Sequence, residues 1–138
     1  MAERIQDSGS LRVFVVEDSS MTRARIATLL GAVEGVELVG YAADAEDAIE
    51  RIVDQRPDAV VLDLHLAHGT GFDVLRALHG RAPEVEVYVM TNLATPPYRE
   101  HAAKLGACDL FDKTLEFECL RETLRRRASR VGEAALAA

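Results

Sequence analysis

Four apolar runs in this chain each lead to a residue able to do polar chemistry. Residues 13–16 run into the acid pair Glu17 and Asp18, and residues 59–62 run into Asp63. Residues 85–90 run into Thr91, and residues 108–111 lead, one residue on, to Lys113. If the runs are parallel strands, all four ends lie on one carboxyl edge, where such sheets bind ligands. Three carboxylates, a hydroxyl and an ammonium would then share a crevice. Carboxylates about 4 Å apart repel by roughly 4 kcal/mol at an effective dielectric near 20, so the group calls for a cation or a proton. Oxygen ligands without cysteine or histidine favour magnesium, or manganese, over zinc. A hard metal beside a carboxylate, with an ammonium and a hydroxyl at hand, is the equipment of phosphoryl transfer.

Taken singly, each residue has a plainer explanation. Glu17 and Asp18 suit the positive end of a helix dipole, threonine is at home in strands, and a lone lysine belongs on a surface. Asp63 is harder to dismiss, because a carboxylate ending an apolar strand is costly unless paired or solvated. It is the coincidence at four strand ends, in order, that favours function.

The elements that must position these residues alternate along the chain. Strands are expected at 11–16, 36–41, 58–64, 85–90 and 108–111; 11–16 reads as a continuous β-branched run and 58–64 is the most apolar. Between them lie helical stripes: Ile26, Leu29, Leu30 and Val33 behind a Ser19 cap; Ala48, Ile49, Ile52 and Val53 behind Asp44. Thr70 with Asp73 spells a capping box for a helix closing at Gly80. Thr95 with Pro96 and Pro97 starts the next helix, ended by Gly106. The last helix turns Phe117, Leu120, Leu124, Ala128 and Val131 inward. Strand–helix repeated five times predicts an α/β fold, a five-stranded doubly wound parallel sheet with five helices. The domain is expected over 11–131, with a flexible segment at 1–10 and a tail at 132–138, leaving no room for an output domain.

Composition narrows the function further. At 138 residues the chain makes one domain, and its net charge of −7 argues against nucleic-acid binding through phosphate contacts. Arginines 121, 125, 126, 127 and 130 are expected on a solvated helix face, paired with Glu118 and Glu122. Cys108 and Cys119 match no metal or redox spacing and read as reduced structural thiols. With no signal-peptide core and no apolar run near 20 residues, a cytoplasmic, membrane-free protein is expected.

The five-part pattern resembles the receiver domains of bacterial two-component response regulators, of the stand-alone chemotaxis-regulator kind. The likeness covers about residues 11–130 and includes the Gly106-Ala107 lead into the fifth strand. It implies the flavodoxin-like receiver fold and a phosphorylation switch. Asp63 would accept a phosphoryl group from a sensor histidine kinase or phosphotransfer protein. Asp18, Asp63 and the backbone carbonyl of His65 would hold magnesium directly, with Glu17 acting through water. Thr91 and Lys113 would bind the phosphoryl oxygens, and the change would reach a downstream protein target through a reshaped surface. The domain would catalyse only its own phosphorylation and dephosphorylation. Leu110 stands where the family often has tyrosine or phenylalanine, with Phe111 on the opposite pleat face. Thr114 replaces the usual proline after the lysine; a trans bond is expected there, since cis without proline costs about 3 kcal/mol.

Other chemistries fit less well. Asp63, His65 and His68 lack a fixed fourth zinc ligand, and 69–71 lacks the lysine of a nucleotide-binding loop. His65 and Asn92 are expected to border the site and tune phosphoryl lifetime, whereas His79 and His101 read as ordinary surface or boundary residues. Two rival functions remain: a phosphate-independent interaction module with this fold, and a small metal-dependent phosphohydrolase. Pathway and oligomeric state are not written in the sequence.

Overall fold

The computed structural model describes residues 10–137. Five parallel strands form one sheet in the order β2-β1-β3-β4-β5. The strands are β1 (Leu11–Val16), β2 (Val36–Ala42), β3 (Ala59–Leu62), β4 (Glu86–Thr91) and β5 (Asp109–Asp112). The helices are α1 (Ser20–Gly31), α2 (Ala45–Gln55), α3 (Gly71–Arg81), α4 (Pro96–Lys104) and α5 (Phe117–Ala137). The fold is thus the expected doubly wound one, with strand order reversing between β1 and β3.

Alternation along the strands splits the core into two layers. Val16, Val60, Leu62, Val89 and Leu110 pack toward α2, α3 and α4. Val13, Val15, Val61, Met90 and Phe111 pack toward α1 and α5. Leu110 and Phe111 therefore do point to opposite faces. Burial on both sides explains why residues 13–16 of β1 and all of β3 read as unbroken apolar runs rather than alternating ones.

Local chemistry sets the helix starts. Ser19 caps α1 by accepting from the Thr22 amide, and Asp44 caps α2 by accepting from that of Asp47. Thr70 and Asp73 exchange both bonds of the capping box. Thr95 precedes α4 without a side-chain cap bond; its prolines fix the first turn instead.

The boundaries differ from expectation in a few places. Gly80 lies inside α3, which continues one residue to Arg81. β3 is shorter than 58–64, while β4 and β5 each sit one residue later than expected. The alanine-rich end is helical rather than a separate tail, with α5 running through Gly132 to Ala137. Alanine's high helix propensity explains this where packing no longer dictates it. Apart from Ser10, the expectation for residues 1–10 lies outside the described residues. No cis peptide occurs among the described residues, so 113–114 is trans. Among those residues no helix is long and apolar enough to cross a membrane.

Candidate phosphoryl and metal site

Backbone pairing continues past the strands and brings the polar ends together. The Asp63 amide donates to the Val16 carbonyl at 3.0 Å, seating Asp63 beside Glu17. The Lys113 amide donates to the Thr91 carbonyl at 2.9 Å, and the Glu17 amide to that of Ala42 at 3.0 Å. Gly71 completes the frame: a Cβ there would collide with the Asp63 carbonyl oxygen and the Leu64 Cα. Only glycine lets α3 begin this close to the end of β3.

The side chains converge on Lys113. Its ammonium lies 2.7 Å from Glu17 Oε1 and 3.0 Å from Asp63 Oδ2, with both carboxylates almost fully buried. Glu17 Oε2 accepts from the Ser19 amide, and Asp63 Oδ1 from the His65 amide. Oε1 of Glu17 is buried without a well-aligned hydrogen bond, so Lys113 meets it as an ion pair only. Oxygens of Glu17, Asp18 and Asp63 all lie within 4.8 Å of one another, with Asp18 exposed. Three carboxylates against one ammonium leave two negative charges, the complement of a divalent cation.

Electrostatics record this imbalance. Burial pushes the Glu17 carboxyl above its ordinary range, and Asp63 adds to the shift against the pull of Lys113. Burial draws the Lys113 ammonium down, but the facing carboxylates of Glu17 and Asp63 outweigh that and raise it overall. An all-oxygen donor set, a surplus of negative charge and an underbonded buried oxygen fit a hard divalent ion.

Thr91 is fully buried at the same edge, its hydroxyl oxygen accepting from the Leu93 amide at 3.1 Å. Asn92 and Leu93 beyond it are exposed. His65 is exposed, its backbone bridged to Thr70. His68 does not join the acid cluster, which is the sole candidate metal-binding group among the described residues. The zinc arrangement is therefore absent there.

Several contributors escaped the sequence reading. Arg23 donates to the Glu17 carbonyl at 2.8 Å while stacking over Tyr41, fixing the loop that carries the acid pair. Arg99 donates to the carbonyls of Ala94 and Leu110 and to Glu116, tying α4 to β5 and to the start of α5. Arg127 leaves the solvated arginine row and turns inward to Glu86. Its place on the stripe of Leu120, Leu124 and Val131 was a signal for that. Arg121, Arg125 and Arg126 do pair with Glu118 and Glu122 as expected. Both cysteines are free and exposed rather than buried in the core. His101 has a ring partner, Phe72, and His79 packs against Gly106.

With this geometry in place, comparison with known proteins gives the family. Residues 13–125 match the model of the response regulator receiver domain. The chain is 34% identical over 122 residues to protein-glutamate methylesterase/protein-glutamine glutaminase 3 of Geobacter sulfurreducens, spanning 85% of this chain and 33% of that protein. It is 28% identical over 116 residues to the uncharacterized transcriptional regulatory protein YvfU of Bacillus subtilis, spanning 84% and 58%. Among solved structures, the response regulator domain of Thermotoga maritima CheB superposes with a TM-score of 0.77. That match has 22% identity and covers 90% of this chain and 97% of that one. The chain belongs to the response regulator receiver family of two-component systems, domains phosphorylated on aspartate by kinases. It spans from about a third to about three-fifths of the length of these two curated relatives.

Proposed function

We propose that Asp63 is the phosphoryl acceptor of this receiver, with Glu17, Asp18, Thr91, Lys113 and the His65 carbonyl as its working partners. The observation that carries this reading is the convergence of Glu17, Asp18 and Asp63 within 4.8 Å, with the Lys113 ammonium 3.0 Å from Asp63 Oδ2. A carboxylate oxygen of Asp63 attacks the phosphorus of a phosphohistidine on a sensor kinase or phosphotransfer protein. The P–N bond breaks, and its electron pair leaves with the imidazole. Bound magnesium, or manganese, would neutralise charge on the phosphoryl oxygens. Asp18, Asp63 and the His65 carbonyl would hold it directly, with Glu17 acting through water.

Lys113 then exchanges its contact with the Asp63 oxygen for one with a phosphoryl oxygen. Thr91 turns its hydroxyl proton to another, and its residue-91–95 loop follows inward. That movement, delivered to the surface of α4, β5 and α5, is the output read by a protein target. The domain thus catalyses its own phosphorylation and, with water as acceptor, its own dephosphorylation. It works in the cytoplasm, over residues 11–131.

Incubation with a small acyl phosphate and magnesium, followed by intact-mass measurement, tests this. A phosphoryl adduct absent from Asp63→Asn is expected. No adduct would favour a phosphate-independent interaction module, and steady release of phosphate without an adduct a small phosphohydrolase.

A further inference from the structure

On the α3–α4 side of the crevice stands a chain of four rings. The His65 imidazole lies nearly parallel to the Tyr98 ring, with centroids 6.0 Å apart and planes inclined by 13°. Tyr98 meets Phe72 edge-on at 5.7 Å, and Phe72 meets His101 at 4.5 Å. These rings come from three elements: the loop after β3, α3 and α4. Offset-stacked and edge-to-face pairs at such separations attract beyond their apolar contact.

The two ends of the His65 residue are held differently. Its backbone is fixed, because its amide donates to Asp63 Oδ1 and its strand bridge reaches Thr70. Its side chain is exposed, and Tyr98 is its ring partner. Tyr98 in turn is half-buried against Phe72, in the first turn of α4. The neighbouring Arg99 anchors that turn by bonding the Ala94 and Leu110 carbonyls. Leu110 brings no ring to this region.

We infer that Tyr98 is a positioning residue that holds the His65 ring beside Asp63, where the ring restricts the approach of water to the phosphorylated carboxylate. This rests on the acceptor role given to Asp63. The stack bridges the loop after β3 and the helix after the Thr91 loop, so the lifetime of the phosphoryl group answers to the position of α4. A partner that shifts α4 would therefore alter hydrolysis without touching the acid cluster.

The test loads wild type, Tyr98→Phe, Tyr98→Ala, His65→Ala and the double variant Tyr98→Ala/His65→Ala with a small acyl phosphate and magnesium. Excess donor is removed and adduct decay is followed by intact mass. Tyr98→Ala should shorten the lifetime roughly two- to tenfold, the range a lost aromatic stack supports. Tyr98→Phe should keep the wild-type lifetime, and the double variant should decay no faster than His65→Ala alone. An unchanged lifetime in Tyr98→Ala, loss of the phenylalanine rescue, or additive effects would each overturn the inference. Thermal unfolding checks the fold; if Tyr98→Ala does not fold, Tyr98→Leu, which keeps apolar contact with Phe72 without a ring, takes its place. Absence of any adduct on wild type overturns the acceptor reading and this inference together. An adduct whose decay ignores Tyr98 overturns this inference alone.

Discussion

At opposite ends of the same sheet, a half-buried carboxylate and a buried one meet cations under opposite terms. At the amino end of β4, Arg127 makes two hydrogen bonds to Glu86, at 2.7 and 2.9 Å, and the Tyr88 hydroxyl donates a third at 2.8 Å. Burial pulls the Glu86 carboxyl up, but these bonds outweigh it and hold the pKa below the ordinary range. At the carboxyl edge, Glu17 shares one ammonium with Asp63, and its carboxyl is pushed up instead. One end is a closed, charge-matched clamp that fixes α5 to the sheet. The other is left two charges negative, a surplus that costs stability and that a divalent ion would balance. Stability and function are thus separated along the strand axis.

Breaking the clamp should have the largest effect on folding. Arg127→Met leaves Glu86 with the Tyr88 hydrogen bond and the charge of Arg130, and should cost about 1.5–3 kcal/mol, the range for hydrogen bonds to charged groups. Urea unfolding measures this, and magnesium affinity should be unmoved. A comparable loss of magnesium binding would show that the two ends are coupled after all.

Breaking the crevice should reverse the pattern. Asp18→Asn removes an exposed carboxylate from the proposed metal site, so folding should hold while magnesium affinity falls by at least about tenfold, about 1.4 kcal/mol. Calorimetric titration reads the affinity. An unchanged value would take Asp18 out of the metal site.

The smallest effects are in the pH dependence, and their signs differ. Glu86, with its lowered folded pKa, contributes stability that is present above its unfolded value near 4.5 and lost as pH falls through the folded one. Glu17, with its raised folded pKa, carries a cost that is full above that pKa and relieved as pH falls through it toward 4.5. Without metal, Glu86→Gln should therefore flatten the acid loss of stability, whereas Glu17→Gln should steepen it. Urea titrations over the acid range distinguish these slopes. Equal slopes in the two variants would erase the contrast.

How much of this was legible in the sequence follows from the range of each interaction. Strand ends, the Ser19 and Asp44 caps and the Thr70–Asp73 box depend on neighbours a few residues away, and the residue types carry them. The convergence of Glu17, Asp63 and Lys113 was legible too, because one parallel sheet puts every strand end on one edge. Side-chain bridges between distant elements were not. Arg99 reaching Leu110 and Glu116, and Tyr98 reaching His65, depend on how α4 seats against β5 and the loop after β3. No periodicity encodes that. Arg127 is the intermediate case: its stripe pointed inward, but its charge made a solvated place look natural. The reach of α5 to Ala137 was missed because alanines give an apolar stripe no contrast.

Everything proposed for the crevice depends on Asp63 carrying the phosphoryl group. Intact mass after treatment with a small acyl phosphate and magnesium tests it most directly, with wild type and Asp63→Asn side by side. One added phosphoryl group is expected on wild type, none on Asp63→Asn, and none when a chelator removes the magnesium. A phosphoryl group on Asp63→Asn, or none on folded wild type, would contradict it.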